Sequence, residues 1–76
     1  MLEKIREIVA EFAYGDLPDD NDFDLLGNEI IDSLGIFSIL SGLENEFGIE
    51  IDGEDISKQN FCSIAAMARM VTKYSA

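Results

Sequence analysis

Ser33 stands between an acid and a leucine in Ile30-Ile31-Asp32-Ser33-Leu34-Gly35, where a loop dense in Asp and Asn gives way to an apolar-periodic segment. A hydroxyl in the first turn of a helix lies at the positive end of the backbone dipole, beside N–H groups that lack an intrahelical acceptor. A phosphate esterified there would be stabilised by both. Ser33 is therefore a candidate modification site. Its plainer reading is a helix cap, a role that either Ser33 or Asp32 can fill, and Asp32 can cap while Ser33 is esterified.

Few other side chains offer chemistry. The chain has no histidine and one cysteine, so Ser-His-Asp and Cys-His arrangements are impossible and zinc clusters built on His and Cys are absent. Cys62 has no second cysteine or histidine to activate it and is expected to be a small, partly buried residue. Asp20, Asp22 and Asp24 have the alternate spacing of a calcium loop, but Leu25 stands where the turn glycine is needed and Ile31 where the bidentate glutamate belongs. No metal site is expected. Carboxylates are plentiful, yet 76 residues leave little interior in which to shape a cleft, so an enzyme acting alone is not expected.

Charge narrows the partners. With 16 acids against 5 cations the net charge is -11, and Lys4, Arg6, Lys58, Arg69 and Lys73 are too scattered to read phosphate backbones. The charge argues against nucleic acid and anionic membranes as partners. Such a chain repels its own copies, which predicts a monomer, and is steered toward basic proteins more strongly at low salt. The 47% apolar content separates it from a disordered acidic tail. A charged amphipathic opening without a leader pattern, together with the single cysteine, predicts a cytoplasmic location. No apolar run approaches the roughly 18 residues of a membrane span.

The elements that must position Ser33 follow from periodicity. Leu2, Ile5, Ile8, Val9 and Phe12 form one stripe of a first helix reaching Tyr14, which Gly15 and Pro18 bring to an end. Residues 19–29 read as a loop, yet Phe23, Leu25 and Leu26 predict that it is pinned to the core. From Ser33 to Phe47 the pattern is helical, with Ile36, Phe37, Leu40, Leu43 and Phe47 on the expected core face and Ile39 at its fringe. Leu34, Ser38, Ser41, Gly42 and Asn45 form the opposite stripe, and Gly48 supplies the stop. Ile49 and Ile51 alternate with acids, but no second strand exists to pair with them, so a packed loop is expected. A short helical turn over Glu54 to Lys58 then places Ile56 inward. Ser63 caps a last helix carrying Ile64, Met67, Ala68, Val71 and Tyr74.

Ile31-Asp32-Ser33-Leu34, the helix end Leu43-Glu44-Asn45-Glu46-Phe47-Gly48-Ile49 and the later Asn60-Phe61-Cys62-Ser63-Ile64 together resemble the acyl carrier protein and peptidyl carrier family over nearly the whole chain. The resemblance implies an all-α fold, a four-helix bundle with a short third helix and a long first loop, in a single domain over residues 1–76. It implies a 4'-phosphopantetheine arm, derived from coenzyme A and joined to Ser33 by a separate phosphopantetheinyl transferase, with Asp32, Leu34 and Gly35 as the flanking motif. Acyl or aminoacyl groups would be carried as thioesters on that arm. A loading ligase or transferase would supply them and a downstream synthase or acyltransferase would receive them, in lipid or specialised-metabolite biosynthesis.

Typical fatty-acid carriers place an acid after Asp-Ser-Leu and more acids along the exposed side of the second helix. Here Gly35, Ser38, Ser41 and Asn45 stand instead, and Asp-Ser-Leu-Gly is nearer to stand-alone carriers of the D-alanine type or those serving dedicated ligases. The expected partner surface is Leu34, Ser38, Ser41, Gly42, Glu44, Asn45 and Asp55. By the same resemblance, Phe37, Leu40, Ile56 and Phe61 are candidates to line a cargo site between the second and third helices, with plain core packing as their other reading. If Ser33 only caps, the alternative function is an acidic helical adaptor that binds a basic protein without a prosthetic group.

Overall fold

A computed structural model describes residues 1–75, arranged as four α-helices: α1 (Leu2–Phe12), α2 (Ser33–Phe47), α3 (Lys58–Phe61) and α4 (Ile64–Ser75). A 3-10 turn, Gly53–Asp55, lies before α3, and no strand is present among the described residues. The all-α bundle with a short third helix and a long first loop is as expected. α1 packs on both α2 and α4, α3 packs on α4, and α2 closes the bundle against α4.

One apolar core joins the helices. Ile5 and Val9 of α1, Ile36, Ile39 and Leu43 of α2, Phe61 of α3 and Ile64, Met67, Met70 and Val71 of α4 are all buried in it. Met67 and Met70 thus serve as core filler, their unbranched chains accommodating irregular gaps between helices. α1 ends two residues before the expected Tyr14. Ala13 turns extended, and the Tyr14 N–H donates to Ile30 O at 2.7 Å instead of continuing the helix.

The expected core face of α2 needs rotation. Phe37 is 60% exposed, whereas Ile39, placed at the fringe from the sequence, is fully buried. The cause lies on the side assigned to solvent: Gly42 faces α1, and a Cβ built there would come within 2.7 Å of Ile8 Cγ2. Gly35, one heptad earlier, lies along the same seam, 3.8 Å from Phe12 O by its virtual Cβ. The missing side chain at Gly42 lets α1 approach α2 closely, and that approach turns Ile39 inward and Phe37 outward.

The long loop is held at both sides. Arg6 of α1 donates through Nη1 to Asn21 Oδ1 at 2.9 Å and through Nη2 to Pro18 O at 2.8 Å. On the far side Leu25 N donates to Cys62 O at 2.6 Å and Ala65 N to Asn21 O at 2.8 Å, while Leu25 and Ile31 are buried. Backbone groups that would otherwise lack partners are satisfied by α3 and α4, which fixes the chain just ahead of Ser33. The acids of this loop serve the same end, Asp20 Oδ1 accepting from Asp22 N and Asp24 Oδ1 from Gly27 N.

After α2, Gly48 adopts the left-handed conformation at φ 63 that closes a helix, and its N–H bonds back to Glu44 O. Glu44 and Tyr74 hold the segment beyond: Ile51 N donates to Glu44 Oε2 at 2.9 Å and Asp52 N to Tyr74 Oη at 3.0 Å. The single helical turn expected over Glu54–Lys58 is in fact two pieces. The 3-10 turn closes first, then Ser57 caps α3 through the Asn60 N–H. Ser63 accepts from Ala66 N at 3.1 Å and starts α4 as anticipated.

Candidate functional site

The site is built on the first turn of α2. Asp32 is extended (φ -118, ψ 176) and its Oδ1 accepts from Gly35 N at 2.7 Å, so the cap is Asp32 and not Ser33. A side chain on Gly35 would crowd that carboxylate, its Cβ falling 3.2 Å from Asp32 Oδ1. The other oxygen, Oδ2, accepts from Tyr14 Oη at 2.8 Å. The Gly35 amide, then the Tyr14 hydroxyl, hold the Asp32 carboxyl below its ordinary value, and the same bond to Asp32 raises the Tyr14 phenol. Each donates to the charged carboxylate and so favours its ionised form.

With capping taken over by its neighbour, Ser33 occupies the first helical position of a 15-residue helix, exposed to solvent. Two clefts open on either side of it. The larger, about 620 Å³, lies between the end of the long loop and α3, with Tyr14, Leu26, Gly27, Lys58, Gln59 and Cys62 among its walls. The smaller, about 170 Å³, lies between α2 and the segment leading into α3, and is walled by Ile36, Phe37, Ile56, Ser57 and Lys58. Leu34, 80% exposed, and Phe37 stand side by side on the outer face next to Ser33.

Compared with known protein families, the sequence matches the phosphopantetheine attachment site family over residues 3–71. The chain belongs to this family. Its members are acyl and peptidyl carrier proteins, generally non-catalytic, that carry a covalently attached 4'-phosphopantetheine. No curated protein and no solved structure matched the chain. The residues at the start of α2 fit such a group: an exposed hydroxyl relieved of capping, backbone N–H groups of a helix terminus, and open space on both flanks.

Other residues singled out from the carrier pattern fall in several places. Leu34, Ser41 and Asn45 are exposed on the outer face of α2 and Ser38 is half-buried. Gly42 does not belong with them, because it is the contact point with Ile8 of α1. Glu44 is half-buried and spends its carboxylate on the Ile51 amide, and Asp55 pairs with Lys73 at 2.8 Å and accepts from Tyr74. Lys73, then Tyr74, hold the Asp55 carboxyl below its ordinary value. Of the cargo candidates, Phe37 and Ile56 line the smaller cleft. Leu40 packs half-buried against the core, and Phe61 is fully buried within it, lining neither cleft.

Three residues beside Ser33 escaped the sequence reading. The sequence pattern puts Tyr14 in the first helix, and nothing local reveals that its hydroxyl reaches a carboxylate 18 positions on. The sequence pattern puts Lys58 at the end of a turn, whereas it begins α3 and borders both clefts. Its signal was present in Ser57, a capping residue type directly before it. Ser57 itself, the cap of α3, was missed for want of any apolar period in a four-residue helix.

Proposed function

We propose that Ser33 bears the 4'-phosphopantetheine arm and that the protein presents acyl or aminoacyl groups to partner enzymes without catalysing their transfer. The observation that carries this reading is the division of labour at the start of α2: Asp32 supplies the cap, leaving the exposed Ser33 hydroxyl available to a transferase. When bound, the arm supplies a terminal thiol that holds its cargo as a thioester. The protein's own part is to fix Ser33 at the helix terminus, where N–H groups and the dipole stabilise a phosphodiester, and to offer a recognition face around it.

That face is Leu34, Ser38, Ser41 and Asn45, extended by the exposed ring of Phe37. Its neutral and apolar character favours partners that dock by shape and apolar burial over partners with a strongly basic patch. Phe37 and Ile56 are the residues assigned to contact apolar cargo, since both border the smaller cleft. A transferase, a loading ligase and a downstream acceptor enzyme are the partners, in the cytoplasm, with the carrier as a monomer.

The test is intact mass after incubation with coenzyme A and phosphopantetheinyl transferases of broad range. The wild type gains one arm and Ser33→Ala gains none. A wild type left unmodified by several such enzymes overturns the reading in favour of a cofactor-free acidic adaptor, for which Ser33→Ala leaves partner binding intact.

A further inference from the structure

We propose that the arm attached at Ser33, while its thiol carries no cargo, rests in the larger cleft between the long loop and α3, with the Lys58 ammonium facing its phosphodiester. This deepens the reading above and depends on Ser33 being the attachment point.

Size decides between the two clefts. Pockets that enclose ligands of this kind run to about 300–1,000 Å³. The cleft of about 620 Å³ falls within that range, and the one of about 170 Å³ is too small for the arm. Chemistry agrees with size. The arm is a polar chain with a phosphate, a hydroxyl and two amides around a branched apolar centre. The larger cleft offers the Gln59 side chain and, as an acceptor, the Tyr14 hydroxyl to the polar groups and Leu26 and Ile31 to the apolar one. Asp24, Glu29 and Asp32 also stand on its wall, Asp24 and Asp32 bonded to the Gly27 and Gly35 amides, which leaves Lys58 as its one cation among the described residues. The smaller cleft, with Ile36, Phe37 and Ile56, presents mainly apolar wall.

Charge points to Lys58. The phosphodiester adds a further negative charge to a chain already at -11, so a cation near Ser33 matters. Arg6 is occupied with the loop, Lys73 is paired with Asp55 and Lys4 with Glu7, and Arg69 borders neither cleft. Lys58 is exposed, makes no ion pair among the described residues, and borders the same clefts as Ser33. An ammonium pairs with a phosphate as a point charge and can follow a mobile arm without demanding one geometry.

Amide spectra of apo and holo protein, with isotope-filtered contacts from the arm, test this. Intact mass first establishes whether the arm is present. In the holo form, contacts from the arm's methyl groups to Leu26 and Tyr14 are expected, with amide shifts at Gly27, Gln59 and Cys62. Lys58→Glu is expected to lose those contacts while its apo spectrum stays dispersed, and Lys58→Arg to keep them. Holo shifts confined to residues 32–35, or arm contacts to Phe37 and Ile56 instead, overturn the proposal while leaving Ser33 as the attachment point. So does a Lys58→Glu variant whose contacts match the wild type. A protein that takes no arm overturns both readings.

Discussion

At Asp32 one carboxylate serves two neighbours, and its titration should be visible in both. Its folded pKa lies below the ordinary value, so its contribution is fully present above the unfolded pKa and is lost as pH falls through the folded one. On acidification below the usual carboxylate range, the Gly35 amide is expected to lose hydrogen-exchange protection before the core amides of Ile39 and Leu43 do. Asp32→Asn should retain most of the cap, since asparagine accepts the same bond, while Asp32→Ala should fray the start of α2 and lower the urea midpoint further. Equal losses in the two variants would contradict the capping role. A cap at Asp32 or Ser33 was legible from the Asp-Ser-Leu-Gly run, and the bond to Gly35, three positions on, decides for Asp32. The bond from Tyr14 was not, because only the tertiary fold brings the end of α1 to the start of α2.

Among the elements, α2 is where periodicity was read correctly and orientation was not. Its limits, Ser33 to Phe47, follow from the Asp32 cap and the Gly48 stop. Its apolar residues cover so broad an arc that the sequence could not say which edge turns inward, and the Gly42 contact with Ile8 decides it. Ile39→Ala should then cost about 2–5 kcal/mol in chemical denaturation, as for other fully buried large-to-small changes. Phe37→Ser should stay within about 0.5 kcal/mol, as at exposed sites. The reverse ranking would mean that the helix is rotated from the orientation described. Gly42→Ala sets a gain of about 1 kcal/mol in helix propensity against an overpacking cost of about 1–3 kcal/mol, because the β-branched Ile8 cannot easily turn its methyl away. Net destabilisation is expected. Around α3 the sequence said less: one turn of helix carries no period, and only the Ser57 and Ser63 caps mark its limits.

Over the whole molecule the bundle follows from three amphipathic stripes, while the course of the loop between α1 and α2 rests on contacts that no local pattern encodes. Arg6, Leu25 and Ala65 tie it down through partners 12 to 44 residues away by their numbers. Its burial of Leu25 and Ile31 was nonetheless foreseeable, since apolar residues inside an acidic loop have no other favourable place. With a net charge of -11 the fold stands against its own repulsion, so Tm is expected to rise as salt is added from low ionic strength toward physiological values, where the screening length is about 8 Å. A Tm that falls over that range would place the stabilising ion pairs above the repulsion. The proposed carrier function turns on one serine out of six in the chain. Fragmentation mass spectrometry of the protein after treatment with coenzyme A and transferase locates the added group directly. The arm is predicted on the peptide containing Ser33 and at that residue alone; an arm on Ser38, Ser41 or any other serine, or none at all, would contradict it.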